Sequence, residues 1–345
     1  MELNKLIRKN IAELQPYSCA RDEFKGEASV YLDANENPWN NPYNRYPDPL
    51  QLEVKEAISR LKKVPVERIF LGNGSDEPID LLYRAFCEPG IDNVVAMEPT
   101  YGMYKVCAGI NDVEYRRVLL NQDFDIDAEK LLATCDAHTK IIWLCSPNNP
   151  TGNSLNCEEV LKVVKAFEGL VVLDEAYIDF ASQAGFSQFI DTYPNLIILQ
   201  TFSKAWGSAA IRLGMAFAHP EIIQVLNKIK YPYNINILTQ RQALAMMKEK
   251  PSVDKWVAEL LIQRDALKRA LLTVPYVHHI YPTDANFLLA KVEDANAVYH
   301  FLVSRSIIVR NRNTVALCEG CIRITVGTSN ENEELIKTMK LFGQK

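Results

Sequence analysis

Between residues 66 and 217, five short apolar runs rich in β-branched residues recur with helix-patterned segments between them: Arg68–Leu71, Asn93–Met97, Lys140–Cys145, Leu170–Leu173 and Leu196–Leu199. A strand with one face in water alternates apolar and polar residues, whereas these runs are continuous, so both faces of the sheet they form are covered. That pattern predicts a mostly parallel sheet in an α/β domain. Each run stops at a polar or Gly/Pro-bearing stretch: GNGSDEP, MEPTYG, CSPNNPTG, LDEAY and QTFSK. Open α/β sheets bind ligands beyond the carboxyl ends of their strands, so the chemistry belongs in these loops.

The remainder of the chain has a different character. After Pro232, long amphipathic helices are predicted over roughly 236–249 and 252–273. Strand-like ANFLLAKV, IIVRN and CIRITVG follow, with a helix between them and a closing helix over 332–341. This reads as a smaller α+β domain. The first forty residues hold a helix and a strand-like VYLDAN. NENPWNNPYNRYPDP comes next, and its five Asn and four Pro forbid regular structure. Its aromatic residues mark an ordered arm. The expected division is an arm over 1–40 joining the small domain, a large domain over 41–235 and a small domain over 236–345. A length of 345 residues agrees with about two domains.

A formal net charge of −5 offers no basic excess for a phosphate backbone or an anionic lipid surface, so neither nucleic acid nor membrane is an expected partner. MELNKLIRKNIAEL interrupts its apolar residues with charges, unlike a signal peptide, and a cytoplasmic location is expected. The eight cysteines are scattered and several lie in apolar runs, which reads as reduced, buried thiols. Cys318-x-x-Cys321 has no second pair to complete a zinc site, and no metal is expected. None of the five histidines lies in an HExxH or follows a GxSxG elbow, which removes metalloprotease and serine-hydrolase readings.

Four strand ends carry chemistry. In Gly72-Asn-Gly-Ser-Asp-Glu-Pro78, Ser75 or Asp76 can cap a helix whose first turn suits Pro78, and Gly72 and Gly74 let backbone N–H groups face an anion. Ser146–Gly152 offers side-chain amides in a turn. Val171–Tyr177 delivers Asp174 to the end of a dry strand, where an ionised carboxylate needs a cation, with the Tyr177 phenol three residues on. Leu196–Lys204 brings a lysine to an equivalent position, where desolvation makes it a nucleophile toward a carbonyl. Each alone also fits an ordinary turn, a structural ion pair or a surface lysine. Together they match what an aldehyde cofactor with a phosphate, a phenolic oxygen and a pyridine nitrogen requires, namely pyridoxal 5′-phosphate.

NPTG at 149–152, DEAY at 174–177 and Ser203-Lys204 followed by Arg212 resemble the fold type I pyridoxal-phosphate aminotransferases. LDANENP, RYPDP, GNGSDE, PTYGMY, SPNNPTG, TFSKAWG and IRITVGT are similar to the histidinol-phosphate aminotransferases in particular. The resemblance spans nearly the whole chain. It implies a large domain built on a seven-stranded, mostly parallel sheet, and transamination between histidinol phosphate and 2-oxoglutarate in histidine biosynthesis.

By the same resemblance, Lys204 is the lysine that takes the cofactor aldehyde and, once freed, moves the substrate's proton. Asp174 holds the pyridine nitrogen protonated, Asn149 and Tyr177 bond the phenolic oxygen, and Tyr101 stacks on the ring. Gly74, Ser75, Asp76, Thr201, Ser203 and Arg212 hold the cofactor phosphate, which Tyr46 reaches from the neighbouring subunit of a homodimer. Arg323 receives the substrate's anionic group, with Arg310, Tyr17 and Tyr233 as companions. A guanidinium fork binds phosphate or carboxylate alike, which suits a pocket that takes histidinol phosphate and glutamate in turn. Rivals on the same scaffold are decarboxylation of threonine phosphate and transamination of aromatic amino acids. A rival of another class is a regulatory module with a fused DNA-binding segment, for which two domains within 345 residues leave no room.

Overall fold

The computed structural model describes residues 3–19 and 28–343. Seven strands form the larger sheet: β1 (Ile69–Asn73), β2 (Asn93–Glu98), β3 (Glu114–Leu119), β4 (Thr139–Cys145), β5 (Leu170–Asp174), β6 (Leu196–Thr201) and β7 (Leu213–Phe217). Their order is β1-β7-β6-β5-β4-β2-β3, and β7 alone runs against its neighbours. All five apolar runs are strands of this sheet. Side chains of β4, β5 and β6 are buried almost throughout because helices cover both faces. β3 escaped the pattern because it is an edge strand: Glu-Tyr-Arg-Arg-Val-Leu is half-exposed and reads as surface. β7 was hidden because LGMAF carries a glycine and no β-branched residue, so it lacks the signature of the other runs.

A second, fully antiparallel sheet has the order β10-β11-β9-β8, from β8 (Val277–Ile280), β9 (Phe287–Val292), β10 (Arg310–Asn311) and β11 (Cys321–Thr325). Alternation along these strands divides the molecule. Leu288, Ala290, Ile322 and Ile324 face a small core shared with the 250–271, 295–304 and 329–339 helices, while Phe287, Leu289 and Cys321 join the larger core. The small sheet therefore lays one face against the large unit, and Arg323, in step with Cys321, lies on that face.

The structure departs from the sequence reading in three places. The start of the chain packs on the large unit and not, as expected, on the small one: Leu3 is buried in the larger core, the Arg8 N–H donates to Ala85 O at 3.0 Å, and the Arg8 guanidinium pairs with Glu88 at 3.1 Å. VYLDAN is no strand; Val30 and Leu32 are 67% and 92% exposed, so their apolar pattern serves a surface rather than a sheet. The 237–248 helix also belongs with the large unit by its contacts. It packs on the 52–62 helix, buries Ala243 in the larger core and donates from Thr239 Oγ1 to Ile211 O at 2.9 Å. The second core starts near Leu267. The residues after NENP are ordered without regular structure, as expected, because the buried Glu36 carboxylate holds the arm together. It accepts from Arg45 Nη1 and from the Tyr46 N–H, each at 2.7 Å.

Candidate active site

β1 ends at Asn73 and the 76–86 helix begins three residues later. Gly74 makes that turn with φ +74°, donating its N–H to Arg212 O at 2.8 Å. Arg212 itself has φ +53°. A Cβ on Gly74 would lie 2.4 Å from Arg212 Nη2, so only glycine lets the guanidinium close over the turn. The first N–H groups of the helix have no intrahelical acceptor and face outward as donors. Ser75 sits at the N-cap without capping through its side chain; instead Glu77 accepts from the Asn73 N–H at 2.5 Å. Above this turn the Thr201 and Ser203 hydroxyls are 3.0 Å apart, Arg212 Nη1 donates to Ser203 Oγ at 3.4 Å, and Arg212 lies 3.6 Å from Asp76. The Tyr101 hydroxyl donates to Asp76 at 3.0 Å. Gly74, Ser75, Asp76, Tyr101, Thr201, Ser203 and Arg212 are thus brought to one place, rich in N–H, O–H and guanidinium donors.

Asp174, at the end of β5, is 3% exposed. Burial pushes its carboxyl up to about 6, opposed by hydrogen bonds from Tyr104 Oη at 2.8 Å and the Ala176 N–H at 3.0 Å. Tyr104 is a site residue that sequence reasoning missed. It is fully buried, stacks on Trp143 at 4.9 Å and 12°, and its phenol is held well above the ordinary tyrosine range by burial, so it acts as a donor only. The one local signal was its place three residues after Tyr101, in the first turn of the 103–110 helix.

Lys204 follows β6. Its side chain reaches solvent, yet desolvation of the ammonium lowers its pKa, as do Arg323 and Arg212, against the pull of Asp174 and Asp76. Its Nζ lies 5.4 Å from the Tyr177 ring centroid. Tyr177 is buried, which raises its pKa and keeps its phenol protonated. Asn149 Nδ2 approaches the Tyr177 hydroxyl at 3.5 Å, and Arg323 Nη1 donates a short hydrogen bond to Asn149 Oδ1. The Arg323 guanidinium lies over Phe287 at 5.1 Å, and Phe287 meets Tyr177 edge-on at 5.2 Å. Asn148, fully buried, ties the SPNNPTG loop to the neighbouring strand end through Pro99 O at 2.9 Å.

The other expected residues are placed less uniformly. Arg310 pairs directly opposite Arg323 across β10 and β11 but stays exposed. Tyr46 stacks on Tyr233 of its own chain, with centroids 4.4 Å apart and planes 13° from parallel. Tyr233 adjoins Asn234, whose amide donates to Leu71 O and to Glu77, so this pair sits beside the first turn of the 76–86 helix. Tyr17 is 75% exposed in a cleft with Leu14, Arg84, Lys228 and Tyr231; it is not brought to Arg323 within a single chain. All eight cysteines are free thiols, and among the described residues no helix is long and apolar enough to cross a membrane.

The profile of the aminotransferase class I and II family matches residues 28–339. The chain belongs to that family. A histidinol-phosphate aminotransferase of Bacteroides fragilis is 59% identical over 341 residues, 99% of each chain. Among solved structures, the histidinol-phosphate aminotransferase of Clostridium acetobutylicum aligns with a TM-score of 0.80 at 23% identity, covering 86% of this chain and 90% of that one. That of Sinorhizobium meliloti, in complex with pyridoxal 5′-phosphate, aligns at 0.78 and 24%, covering 86% and 82%. At such identities these two speak for the fold. The donor set fits the family's cofactor: a glycine turn that a side chain would fill, a buried carboxylate, a desolvated lysine and a protonated phenol surround one space.

Proposed function

We propose that this protein transfers the amino group of L-histidinol phosphate to 2-oxoglutarate, giving 3-(imidazol-4-yl)-2-oxopropyl phosphate and L-glutamate, as a step in histidine biosynthesis. The reading is carried by the convergence of Lys204, buried Asp174 and the Asn149–Arg323 pair, one residue set from the large sheet meeting an arginine from the small one. It is supported by the high-identity relative that bears this activity's name.

When bound, pyridoxal 5′-phosphate supplies an aldehyde that exchanges with amines and a ring that withdraws electrons from the substrate Cα. Lys204, whose ammonium form is disfavoured by desolvation and by Arg323 and Arg212, would hold the aldehyde carbon and later move the proton between Cα and that carbon. Asp174 would hold the proton of the pyridine nitrogen, and the Tyr104 hydrogen bond aims the carboxylate and favours its ionised form against burial. Asn149 and Tyr177 would hydrogen-bond the phenolic oxygen, and Tyr101 would pack on the ring. Gly74, Ser75, Asp76, Thr201, Ser203 and Arg212 would hold the phosphate. Arg323 would receive the substrate's phosphate or carboxylate as a fork, with Arg310 directly opposite it; Tyr17 and Tyr233 are the proposed companions, although a single chain does not bring Tyr17 to Arg323.

The working unit in this reading is a homodimer in the cytoplasm. Trp39, Tyr43 and Tyr46 on the arm are each more than half exposed, aromatic side chains suited to a second copy. That copy would bring Tyr46 to its partner's phosphate cradle. The assay presents histidinol phosphate, phosphothreonine and phenylalanine side by side to the cofactor-loaded protein with 2-oxoglutarate. Glutamate formation fastest with histidinol phosphate is expected. Faster decarboxylation of phosphothreonine, or a preference for phenylalanine, overturns the assignment.

A further inference from the structure

The small sheet carries a third arginine that neither the sequence patterns nor the roles above account for. β10 and β11 pair Arg310 with Arg323 and Asn311 with Ile322, and the ladder continues one step further because the Arg312 N–H donates to Cys321 O at 2.9 Å. Side chains alternate along a strand. The Asn311 amide donates to Asn296 Oδ1 at 2.7 Å, on the 295–304 helix behind the sheet, and Ile322 lies in the small core on that side. Arg310, Arg312 and Arg323 therefore share the opposite face, the one that carries Cys321 and Leu289 into the larger core. Arg312 is diagonal to Arg323, within reach for long side chains.

Three guanidinium groups on one small patch repel one another, and something must offset that. Among the described residues no carboxylate lies within ion-pair distance of any of the three. Arg312 Nε and Arg323 Nε are both buried without a hydrogen-bond partner. Buried donors are seldom left unpaired in a finished protein, and two on the same face imply an acceptor that arrives with a ligand. Burial and the two neighbouring arginines lower Arg312 to about 10, and Tyr177 lies close enough to be affected by its charge, which puts the group at the rim of the cofactor space.

We propose that Arg312 is a third anion-binding residue of the substrate pocket, matched to the second negative charge of a phosphate monoester, so that it sets preference for the phosphorylated substrate over a carboxylate one. This rests on the substrate reading above. Arg323 suffices for a monoanion; a phosphate dianion has a further charge and a third acceptor oxygen, which a second fork from Arg312 satisfies.

The test compares L-histidinol phosphate with unphosphorylated L-histidinol in cofactor-loaded wild type, Arg312→Gln and Arg312→Lys. In Arg312→Gln the KM for histidinol phosphate should rise about tenfold to a hundredfold, the range of one charge-assisted hydrogen-bond pair. kcat/KM for histidinol should stay within about threefold, and Arg312→Lys should recover part of the loss because it keeps the charge without the fork. Inorganic phosphate titrated calorimetrically into the same loaded proteins, whose cofactor phosphate site is already filled, should bind more weakly to Arg312→Gln. Equal loss for both substrates, no loss for either, or unchanged phosphate affinity overturns the proposal. Should wild type act on neither substrate, the substrate reading fails while the phosphate titration still decides Arg312. Should Arg312→Gln not fold, the lysine variant decides: wild-type KM for histidinol phosphate and wild-type phosphate affinity in it would both count against a fork at this position.

Discussion

Asp174 is the residue on which the site's electrostatics turn, and it has two opposing neighbours. Burial drives its carboxyl toward the neutral form, while the Tyr104 phenol and the Ala176 N–H pull it back. Removing the phenol in Tyr104→Phe leaves the ring stack with Trp143 and deletes one donor. Asp174 should then titrate higher still, the ring nitrogen should lose its proton more readily, and cofactor affinity should fall about tenfold, from roughly 1–2 kcal/mol of lost hydrogen bonding. Equilibrium dialysis of pyridoxal phosphate, with absorbance of the bound cofactor followed across pH, checks this; a pH profile identical to wild type would count against the role. Lys204→Ala should lower turnover at least about a hundredfold, since no other described amine stands over Tyr177, and should leave the fold intact because the side chain reaches solvent. Circular dichroism together with single-turnover measurement separates the two effects. The lysine and the aspartate were legible from an apolar run ending in a charge. Tyr104 was not, because its significance comes from the carboxylate to which it donates, seventy residues away in the chain.

At the scale of elements, the turn between β1 and the 76–86 helix is held from below by β7. A Cβ on Gly214 would lie 2.2 Å from the Ser75 N and 2.3 Å from the Gly74 carbonyl carbon, both backbone atoms that cannot step aside. Gly214→Ala should therefore distort the cradle and lower melting temperature, whereas Gly74→Ala, opposed mainly by the Arg212 side chain and by its positive φ, should cost chiefly cofactor affinity. Differential scanning fluorimetry with and without pyridoxal phosphate distinguishes them; equal loss of cofactor affinity at equal stability would contradict the account. The GNGSDEP turn was readable as a glycine turn into a helix from its glycines and the apolar periodicity after it. That β7 closes it from beneath was not, because β7 is the reversed strand inserted between β1 and β6, a position set by pairing and not by pattern.

Across the whole molecule, the opposite face of β5 carries a second buried carboxyl. Glu175 is 1% exposed, accepts from the Phe186 N–H at 2.6 Å and from Gln200 Nε2 at 2.9 Å, and is pushed up to about 7 by burial. A carboxyl whose pKa rises on folding binds its proton more tightly in the native state, so its contribution to stability is present below the unfolded value and is lost as pH rises through the folded one. The window is about pH 4.5 to 7 for Glu175 and about 3.8 to 6 for Asp174. Apoprotein stability should decline through that range, and Glu175→Gln, which keeps an acceptor for Phe186, should flatten the decline and be more stable than wild type at pH 8 by a few kcal/mol. Urea unfolding at pH 5, 6, 7 and 8 measures it; parallel curves for the two proteins would refute the linkage. Sedimentation should give a dimer whose dissociation Trp39→Ser promotes, since Trp39 is 77% exposed on the arm; a monomeric wild type would remove the partner's Tyr46 from the proposed site.

Continuous apolar runs ending in polar loops determined the core strands of the large sheet and brought Lys204, Asp174 and the glycine turn to its strand ends, because a buried parallel strand leaves a local signature in composition and its end is where a polar group can be delivered. Edge strand β3, the attachment of the N-terminal segment to the large unit and the common face of Arg310, Arg312 and Arg323 were decided only by the tertiary structure. Those depend on which surfaces are left for one element to cover once the others are packed. A strand arginine has the same local signature whether it faces water or a ligand pocket, and only the register between β10 and β11 tells the two apart.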